Sequence, residues 1–210
     1  MIRVLIADDH AVVRQGLKQI LGDTPEMVVA GEATNGQEVL DKVRAEAWDI
    51  VVLDISMPDR SGLDILKELQ SERPKLPVLV LSMYSEDQFA VRVLKAGARG
   101  YLTKDSAPDE LVKAIRKVVS GGTYVSAFLA EKLAFEIGTD SSKLPHEALS
   151  DREFQVLRLI AAGKSVKEIA AELYLSVKTV STYRSRLLQK MNLETNAELI
   201  HYAIQNRLID

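Results

Sequence analysis

The sequence contains no cysteine and no long run of apolar residues. The absence of cysteine excludes disulfide bonds, thiolate zinc sites and cysteine nucleophiles, and it fits a reducing cytoplasm. No apolar stretch approaches the roughly 20 residues that a membrane-spanning helix needs. The first residues turn acidic at Asp8, unlike a signal peptide. These absences predict a globular cytoplasmic protein.

A large excess of charge is also lacking, since the formal net charge is only −3. The charge is nevertheless uneven, because residues 147–210 carry nine basic and eight acidic residues, whereas residues 1–146 carry 18 and 22. Residues 173–193 contain four basic residues and no acidic one. This stretch is compatible with nucleic-acid binding but does not require it.

Five apolar runs alternate with helical patterns over the first 120 residues. The runs predict strands at residues 3–7, 27–33, 49–54, 78–82 and 100–104, and each is followed by an amphipathic helical pattern. Gly121 and Gly122 end the last of these helices. Such alternation predicts an α/β doubly wound sheet of five parallel strands with right-handed crossovers.

The last third of the chain has no strand pattern. Ser150 with Glu153, and Ser165 with Glu168, have the spacing of a capping box at the start of a helix. Further helices are predicted at residues 176–191 and 196–206, and the tight turn 173–176 predicts a helix-turn-helix. The predicted organisation is an α/β domain at 1–120, a linker with one helix (125–137) at 121–146, and a small all-α domain at 147–210.

Carboxylates follow two of the predicted strands. Asp8 and Asp9 come after the first strand and Asp54 ends the third, so they are expected together at the carboxyl edge of the sheet, where ligands bind. Close carboxylates raise each other's pKa, and a hard cation such as Mg²⁺ would relieve that repulsion. Taken alone, Asp54 could also be a helix cap or a solvated loop acid.

Two further polar residues end strands at the same edge. Ser82 offers a hydroxyl and Lys104 offers an ammonium group. Together with the carboxylates they predict a receptacle for a phosphoryl group, with Asp54 as the nucleophile that forms an acyl phosphate. The metal and Lys104 would neutralise the phosphoryl oxygens.

The helix predicted at 177–191 separates into two faces at 100° per residue. The apolar face comprises Val177, Val180, Tyr183, Leu187, Leu188 and Met191. The opposite face comprises Lys178, Thr182, Ser185, Arg186 and Gln189, with Ser181 beside them. This second face suits a DNA major groove, in which basic side chains hold phosphates and polar ones contact base edges. A solvated helix face is the alternative.

These motifs resemble a known family. Asp8 and Asp9, with Asp54, Ser82, Tyr101 and Lys104, are similar to the receiver domain (flavodoxin-like) of two-component response regulators. Runs 149–157, 167–170 and 178–180 resemble the helix-turn-helix of the NarL/FixJ (LuxR-type) subfamily.

The resemblance implies roles for individual residues. Asp54 would accept phosphate from the histidine of a sensor kinase, and Ser82 and Tyr101 would form a switch pair. Mg²⁺ would be bound by Asp9, Asp54 and the backbone carbonyl of Ser56, with Asp8 acting mostly through water. The expected DNA contacts are Lys178, Thr179, Ser181, Thr182, Arg184, Ser185, Arg186 and Gln189.

The sequence therefore predicts a phosphorylation-dependent transcriptional regulator rather than an enzyme. One recognition helix covers few base pairs, so a homodimer on paired half-sites is expected when the protein is phosphorylated. The apolar stripe of the last helix offers a local interface, with Leu199, Ile200, Ala203 and Ile204. Two alternatives remain at this point. One is a Mg²⁺-dependent phosphatase, which normally needs an acid shortly after its aspartate nucleophile, where this chain has Ser56. The other is a regulator that works without phosphate.

Overall fold

The computed structural model describes residues 1–57, 60–84, 86–127, 129–131, 144–206 and 208–209, with backbone alone for residues 87, 88 and 147. These residues fall into two compact units, Met1–Thr139 and Asp140–Asp210. The first unit contains strands and helices, and the second contains helices.

The first unit is built on a parallel sheet. Its strands are β1 (Ile2–Ala7), β2 (Met27–Ala33), β3 (Ile50–Asp54), β4 (Val78–Ser82) and β5 (Gly100–Thr103). They lie in the order β2-β1-β3-β4-β5, and every neighbouring pair is parallel. All residues of β3 and β4 are buried, as expected for strands with helices on both faces. The predicted doubly wound sheet is confirmed.

Five helices connect and cover these strands. They are α1 (Ala11–Gly22), α2 (Gly36–Ala45), α3 (Gly62–Glu72), α4 (Glu86–Lys95) and α5 (Ala107–Val119). The Asn35 side chain accepts a hydrogen bond of 2.9 Å from the Glu38 amide, which satisfies one of the open donors at the start of α2. Pro108 lies in the first turn of α5, where a residue without an amide hydrogen is tolerated.

One hydrophobic core joins the sheet to α1 and α5. Its strand residues alternate along β1, β3 and β4, as the period of a strand requires, and they are Val4, Ile6, Ile50, Val52, Leu79 and Leu81. Leu17 and Leu21 of α1, with Leu111 and Ile115 of α5, pack against them. Burying each such side chain stabilises the fold by about 1.5–3 kcal/mol. This core fixes the positions of the strand ends.

A short segment after α5 pairs with β5. Tyr124 forms a parallel bridge with Gly100, and its carbonyl oxygen accepts a hydrogen bond of 3.2 Å from the Tyr101 amide. No pattern in the sequence predicts this pairing. Residues 127 and 129–131 are helical, which agrees with the start of the predicted helix at 125–137. Residues 132–143, which include the rest of that predicted helix, lie outside the described residues.

The second unit opens with a 3₁₀ turn, Pro145–Ala148, and continues with four helices. These are α6 (Asp151–Ala161), α7 (Val166–Glu172), α8 (Val177–Met191) and α9 (Asn196–Gln205). Both predicted capping boxes are present, at Ser150 and Ser165. A third, at Thr195, was not foreseen. Leu199 and Ala203 of the predicted interface stripe are buried inside this unit, whereas Ile204 is 58% exposed.

Among the described residues, no helix has both the length and the apolar character that crossing a bilayer requires.

Candidate functional site

The carboxyl ends of four strands meet at one edge of the sheet. β1 and β3 are in register up to the residues that precede Asp8 and Asp54. Lys104 follows β5, and its amide donates a hydrogen bond of 2.8 Å to the carbonyl oxygen of Ser82 at the end of β4. Parallel pairing therefore brings these four residues together, as the sequence predicted.

Lys104 joins two buried carboxylates at this edge. Its Nζ lies 2.7 Å from Asp8 Oδ2 and 2.8 Å from Asp54 Oδ2. The contact with Asp54 is a directed hydrogen bond, while that with Asp8 is an ion pair. The side chains of Asp8 and Asp54 are each 1% exposed, and that of Lys104 is 9% exposed. The single ammonium offsets the charge of only one of these two carboxylates, so the pair remains formally negative.

The surroundings shift the pKa of both Asp54 and Lys104. Burial raises the pKa of the Asp54 carboxyl above its usual range, with Lys104 opposing and the Asp8 charge adding to the shift. Burial alone would lower the pKa of Lys104, but its contacts with Asp54 and Asp8 outweigh burial and raise that pKa. Lys104 therefore keeps its proton at neutral pH.

Backbone groups of Ser56 and Gly62, which follow β3, lie close to Asp54. The Ser56 amide donates a hydrogen bond of 3.0 Å to Asp54 Oδ1, so Ser56 approaches the site through its backbone. The Gly62 amide donates to the Ile55 carbonyl oxygen at 3.0 Å. A Cβ at Gly62 would lie 2.5 Å from the Ile55 Cα and 2.6 Å from the Asp54 carbonyl oxygen. Gly62 is thus required for α3 to start so close to Asp54.

Asp9 and His10 complete the cluster. One potential ligand atom from each of Asp8, Asp9, His10 and Asp54 lies within 4.8 Å of the others. His10 Nδ1 lies 2.9 Å from Asp9 Oδ1 and 3.3 Å from Asp8 Oδ1. The His10 ring is 59% exposed, yet it borders the carboxylates. A histidine directly after an acid pair was the signal for this.

Ser82 and Tyr101 are linked through the backbone of Tyr84. The Ser82 hydroxyl accepts a hydrogen bond of 3.1 Å from the Tyr84 amide, and the Tyr101 hydroxyl donates one of 2.6 Å to the Tyr84 carbonyl oxygen. Tyr101 is fully buried. The Tyr101 side chain therefore faces the interior in this structure.

In the second unit, α7 and α8 form the predicted helix-turn-helix. Tyr174 in the turn has a φ of 54°, a left-handed conformation uncommon for residues other than glycine. The Ser176 hydroxyl accepts a hydrogen bond of 3.0 Å from the Thr179 amide and caps α8. α8 then buries Val180, Leu187, Leu188 and Met191. Val177, which was predicted on the packed face, is the first residue of α8 and is 48% exposed.

The opposite face of α8 is exposed, as predicted. Its exposed residues are Lys178, Ser181, Thr182, Ser185, Arg186 and Gln189, while Thr179 is half-buried. Of the basic side chains, Arg184 donates from Nε to Asn196 Oδ1 at 2.6 Å, and Lys190 lies 2.6 Å from Glu153 Oε2. The side chains of Lys178 and Arg186 have no ionic or hydrogen-bonding partner within the part of the chain that the structure describes.

Comparison with known proteins matches both units. Residues 4–116 match the response regulator receiver domain, and residues 147–203 match bacterial regulatory proteins of the luxR family. Response regulator UvrY of Escherichia coli O157:H7 is 39% identical over 99% of this chain and 96% of its own length. Response regulator GacA of Pseudomonas protegens is 39% identical over 100% of this chain and 99% of its own.

A solved structure gives the same relationship. RcsB from Salmonella enterica serovar Typhimurium, bound to promoter P1flhDC in the presence of the phosphomimetic BeF3−, is 30% identical with a TM-score of 0.66, covering 96% of this chain and 97% of the RcsB chain. Receiver and luxR-type matches thus occur in one chain. The chain belongs to the two-component response regulators of the NarL/FixJ subfamily.

Proposed function

We propose that this response regulator is a DNA-binding transcriptional regulator controlled by phosphorylation of Asp54. The receiver would occupy residues 1–120 and the DNA-binding domain residues 147–210, with residues 121–146 as the linker. Full-length similarity to response regulators, and to a relative bound to a promoter, supports this. A cytoplasmic location is proposed along with this function, because the proposed partner is DNA.

The observation that carries the proposal is the pairing of Lys104 with Asp54 at the sheet edge. The donor would be the phosphohistidine of a sensor kinase. A carboxylate oxygen of Asp54 attacks phosphorus, a P–O bond forms, the P–N bond breaks and histidine leaves. The Lys104 ammonium, 2.8 Å from Asp54 Oδ2, can then move its hydrogen bond to a phosphoryl oxygen.

Mg²⁺ fits the donor set of this site. The carboxylates of Asp8, Asp9 and Asp54 face the single ammonium of Lys104, which leaves two formal negative charges uncompensated. Carboxylate oxygens are the ligands that Mg²⁺ prefers, and the Ser56 carbonyl is proposed to join them. When bound, the ion would neutralise charge on the transferred phosphoryl group.

Ser82 and Tyr101 are proposed to transmit the change. When the Ser82 hydroxyl turns toward a phosphoryl oxygen, it leaves the Tyr84 amide, which it now holds at 3.1 Å. Tyr84 also receives the hydrogen bond from Tyr101. Tyr84 would then lose its hydrogen bond to Ser82 and keep the one from Tyr101. The conformation of the loop after β4 would therefore depend on whether Asp54 is phosphorylated.

DNA would be bound by the exposed face of α8. Lys178 and Arg186 would hold phosphates, and Ser181, Thr182 and Ser185 would face base edges; all five are exposed. Thr179, Arg184 and Gln189 remain proposed contacts, although Arg184 would have to exchange Asn196 for a phosphate. Binding by a homodimer would pair two such helices on half-sites one helical turn apart.

The proposed protein is a switch and not an enzyme that turns over small molecules. A phosphatase with an aspartate nucleophile would need a general acid two residues further on, and here Ser56 contributes its backbone amide to Asp54 instead. The comparison with regulators favours the switch. A long-lived phosphoprotein is expected, whereas rapid multiple turnover would indicate a phosphatase.

Two measurements test the proposed function. The protein would be incubated with Mg²⁺ and acetyl phosphate, and intact mass spectrometry should show one added phosphate that is absent in Asp54→Asn. Fluorescence anisotropy should then show tighter DNA binding by the labelled wild type than by the variant. Equal labelling of both proteins would contradict the assignment of Asp54. Equal DNA affinity with and without label would contradict control by phosphate.

A further inference from the structure

Three exposed hydroxyl groups lie on the outward face of α8. Ser181 Oγ donates its hydrogen to the Val177 carbonyl oxygen at 2.9 Å, and Thr182 Oγ1 donates to that of Lys178 at 3.0 Å. Ser185 Oγ donates to the Ser181 carbonyl oxygen at 3.1 Å. A hydroxyl has a single hydrogen and two acceptor lone pairs. Because the hydrogens are used inside the helix, the groups present acceptor oxygens to an incoming ligand.

On the basis of the proposed function, we infer that these three hydroxyls read DNA as hydrogen-bond acceptors and select adenine or cytosine. In the major groove, the exocyclic amino groups of adenine and cytosine are the donors that the bases offer. Guanine N7 and O6, and thymine O4, are acceptors. A hydroxyl that faced one of these base acceptors would have to give up its hydrogen bond to the helix. Otherwise the hydroxyl oxygen and the base acceptor would both remain unpaired.

The surroundings of the hydroxyls favour this assignment. Arg184 and Lys190, which could have donated to guanine, are held by Asn196 and Glu153. Residues 173–193 contain no acid. Uncharged hydroxyl acceptors approach the amino groups without the repulsion from phosphates that a carboxylate acceptor would experience.

A further contact comes from the hydrocarbon part of the same face. The methyl group of Thr182 can pack on the thymine methyl group that is exposed in the major groove. The strand read by these residues would therefore combine amino-bearing bases with thymine, and guanine would be excluded from positions that face Ser181 and Ser185.

The test uses atom-specific base analogues. Full-length protein with beryllofluoride and Mg²⁺ is first used to enrich duplexes from a random pool. In an enriched duplex, adenines are replaced singly by purine and cytosines by 2-pyrimidinone, both of which lack the amino group. In parallel, adenines and guanines are replaced by their 7-deaza analogues, which lack the N7 acceptor. The same changes outside the enriched site control for altered base pairing.

Removal of an amino group within the site should weaken binding about 3- to 10-fold, the range expected for one hydrogen bond. Loss of N7 at the same positions should leave affinity unchanged. Ser181→Ala, Thr182→Val and Ser185→Ala are expected to fold, since the positions are exposed and alanine favours helices. Each should weaken binding to the enriched duplex and abolish the further effect of removing its partner amino group.

Each contrary outcome has a distinct meaning. Weaker binding to 7-deazaguanine duplexes, with no effect of amino removal, would overturn the inference and leave DNA binding intact. Amino removal that affects all three variants as much as wild type would do the same, because the hydroxyls would then not be the readers. Failure to enrich any sequence would contradict the proposed DNA-binding function and this inference with it.

Discussion

The Tyr101 hydroxyl donates a hydrogen bond of 2.6 Å to the backbone carbonyl oxygen of Tyr84, and Tyr101 is fully buried. The Tyr84 ring stacks on Phe89 of α4, with ring centroids 4.8 Å apart. The Tyr84 amide is held by Ser82 at the same time. One residue of the loop after β4 is therefore tied both to the end of β4 and to the interior of β5.

Tyr101→Phe should remove the hydrogen bond to the Tyr84 carbonyl oxygen and leave the one between the Tyr84 amide and Ser82. The ring would still fill its buried site, but the Tyr84 carbonyl would lose a donor, which costs about 1 kcal/mol of unfolding free energy. Urea unfolding monitored by the fluorescence of Trp48 would measure that loss. Asp54 labelling should be unchanged, while the gain in DNA affinity on beryllofluoride addition should shrink. Tyr124→Phe, on the segment after α5, is the control, and an undiminished gain in Tyr101→Phe would show that Tyr101 does not couple the two processes.

The positions of Ser82 and Tyr101 in the sheet were predictable from sequence, but the conformation of Tyr101 was not. Apolar runs ending in Asp54 and Ser82 fix where strands stop, and parallel pairing then fixes which residues meet at the edge. The rotamer of Tyr101 depends on the space left by α4 and on a carbonyl group of the backbone, and neither leaves a periodic signal. The ties of Arg184 to Asn196 and of Lys190 to Glu153 were missed for the same reason, since they join side chains from different helices.

Gly62→Ala should disturb both stability and the acceptor site. Its Cβ would meet backbone atoms of Ile55 and Asp54 at 2.5 and 2.6 Å, so the loop must shift. A loss of about 1–3 kcal/mol is expected, as for other overpacked sites, together with slower labelling of Asp54. Gly16→Ala in α1 is a matched control, because nothing lies within 4 Å of its Cβ, and it should stabilise the helix by about 1 kcal/mol. Equal unfolding free energies for the two variants would refute the close packing at Gly62.

Lys104→Met should leave Asp8 and Asp54 buried without their cation. Breaking one side of a buried ion pair costs about 3–5 kcal/mol, and Mg²⁺ is expected to restore more stability in this variant than in wild type. Labelling of Asp54 by acetyl phosphate should slow, because the group that neutralises phosphoryl charge is lost. Lys113→Met is the control, since that side chain is 68% exposed and pairs with Glu110 on the same helix. Wild-type labelling rates in Lys104→Met would remove Lys104 from the proposed chemistry.

Glu153 should make the second unit sensitive to acid. Burial alone would raise the pKa of its carboxyl, but hydrogen bonds from Lys190 and Ser150 outweigh burial and lower that pKa. The stabilisation is thus complete above the pKa of the unfolded chain and is lost as pH falls through the lower pKa of the folded state. The single tryptophan, Trp48, lies in the first unit, so protection of α6 amides from hydrogen exchange is the suitable measurement.

In that measurement, Glu153→Gln should lower protection of α6 at pH 7 and differ less from wild type near pH 3. Glu168→Gln is the matched control, because Glu168 occupies the corresponding position of the capping box at Ser165 and is exposed. The effect of Glu168→Gln on amide protection should be smaller than that of Glu153→Gln at every pH. A constant difference between Glu153→Gln and wild type across this range would contradict the pKa argument.

Salt dependence should divide the basic residues of α8 into two classes. Each phosphate contact contributes about 0.9 to the slope of log affinity against log salt concentration. Lys178→Ala or Arg186→Ala should therefore reduce the slope by about 0.9, or by about 1.8 if a dimer loses the contact in both subunits. Lys190→Ala should leave the slope nearly unchanged, because Lys190 is engaged by Glu153 at 2.6 Å. Anisotropy titrations over a series of salt concentrations give all three slopes, and a lysine or arginine whose loss does not alter the slope is not a phosphate contact. If Lys190→Ala reduced the slope as much as Lys178→Ala, the ion pair between Lys190 and Glu153 would have to open on DNA. The number of phosphates bound by each subunit would then be correspondingly larger.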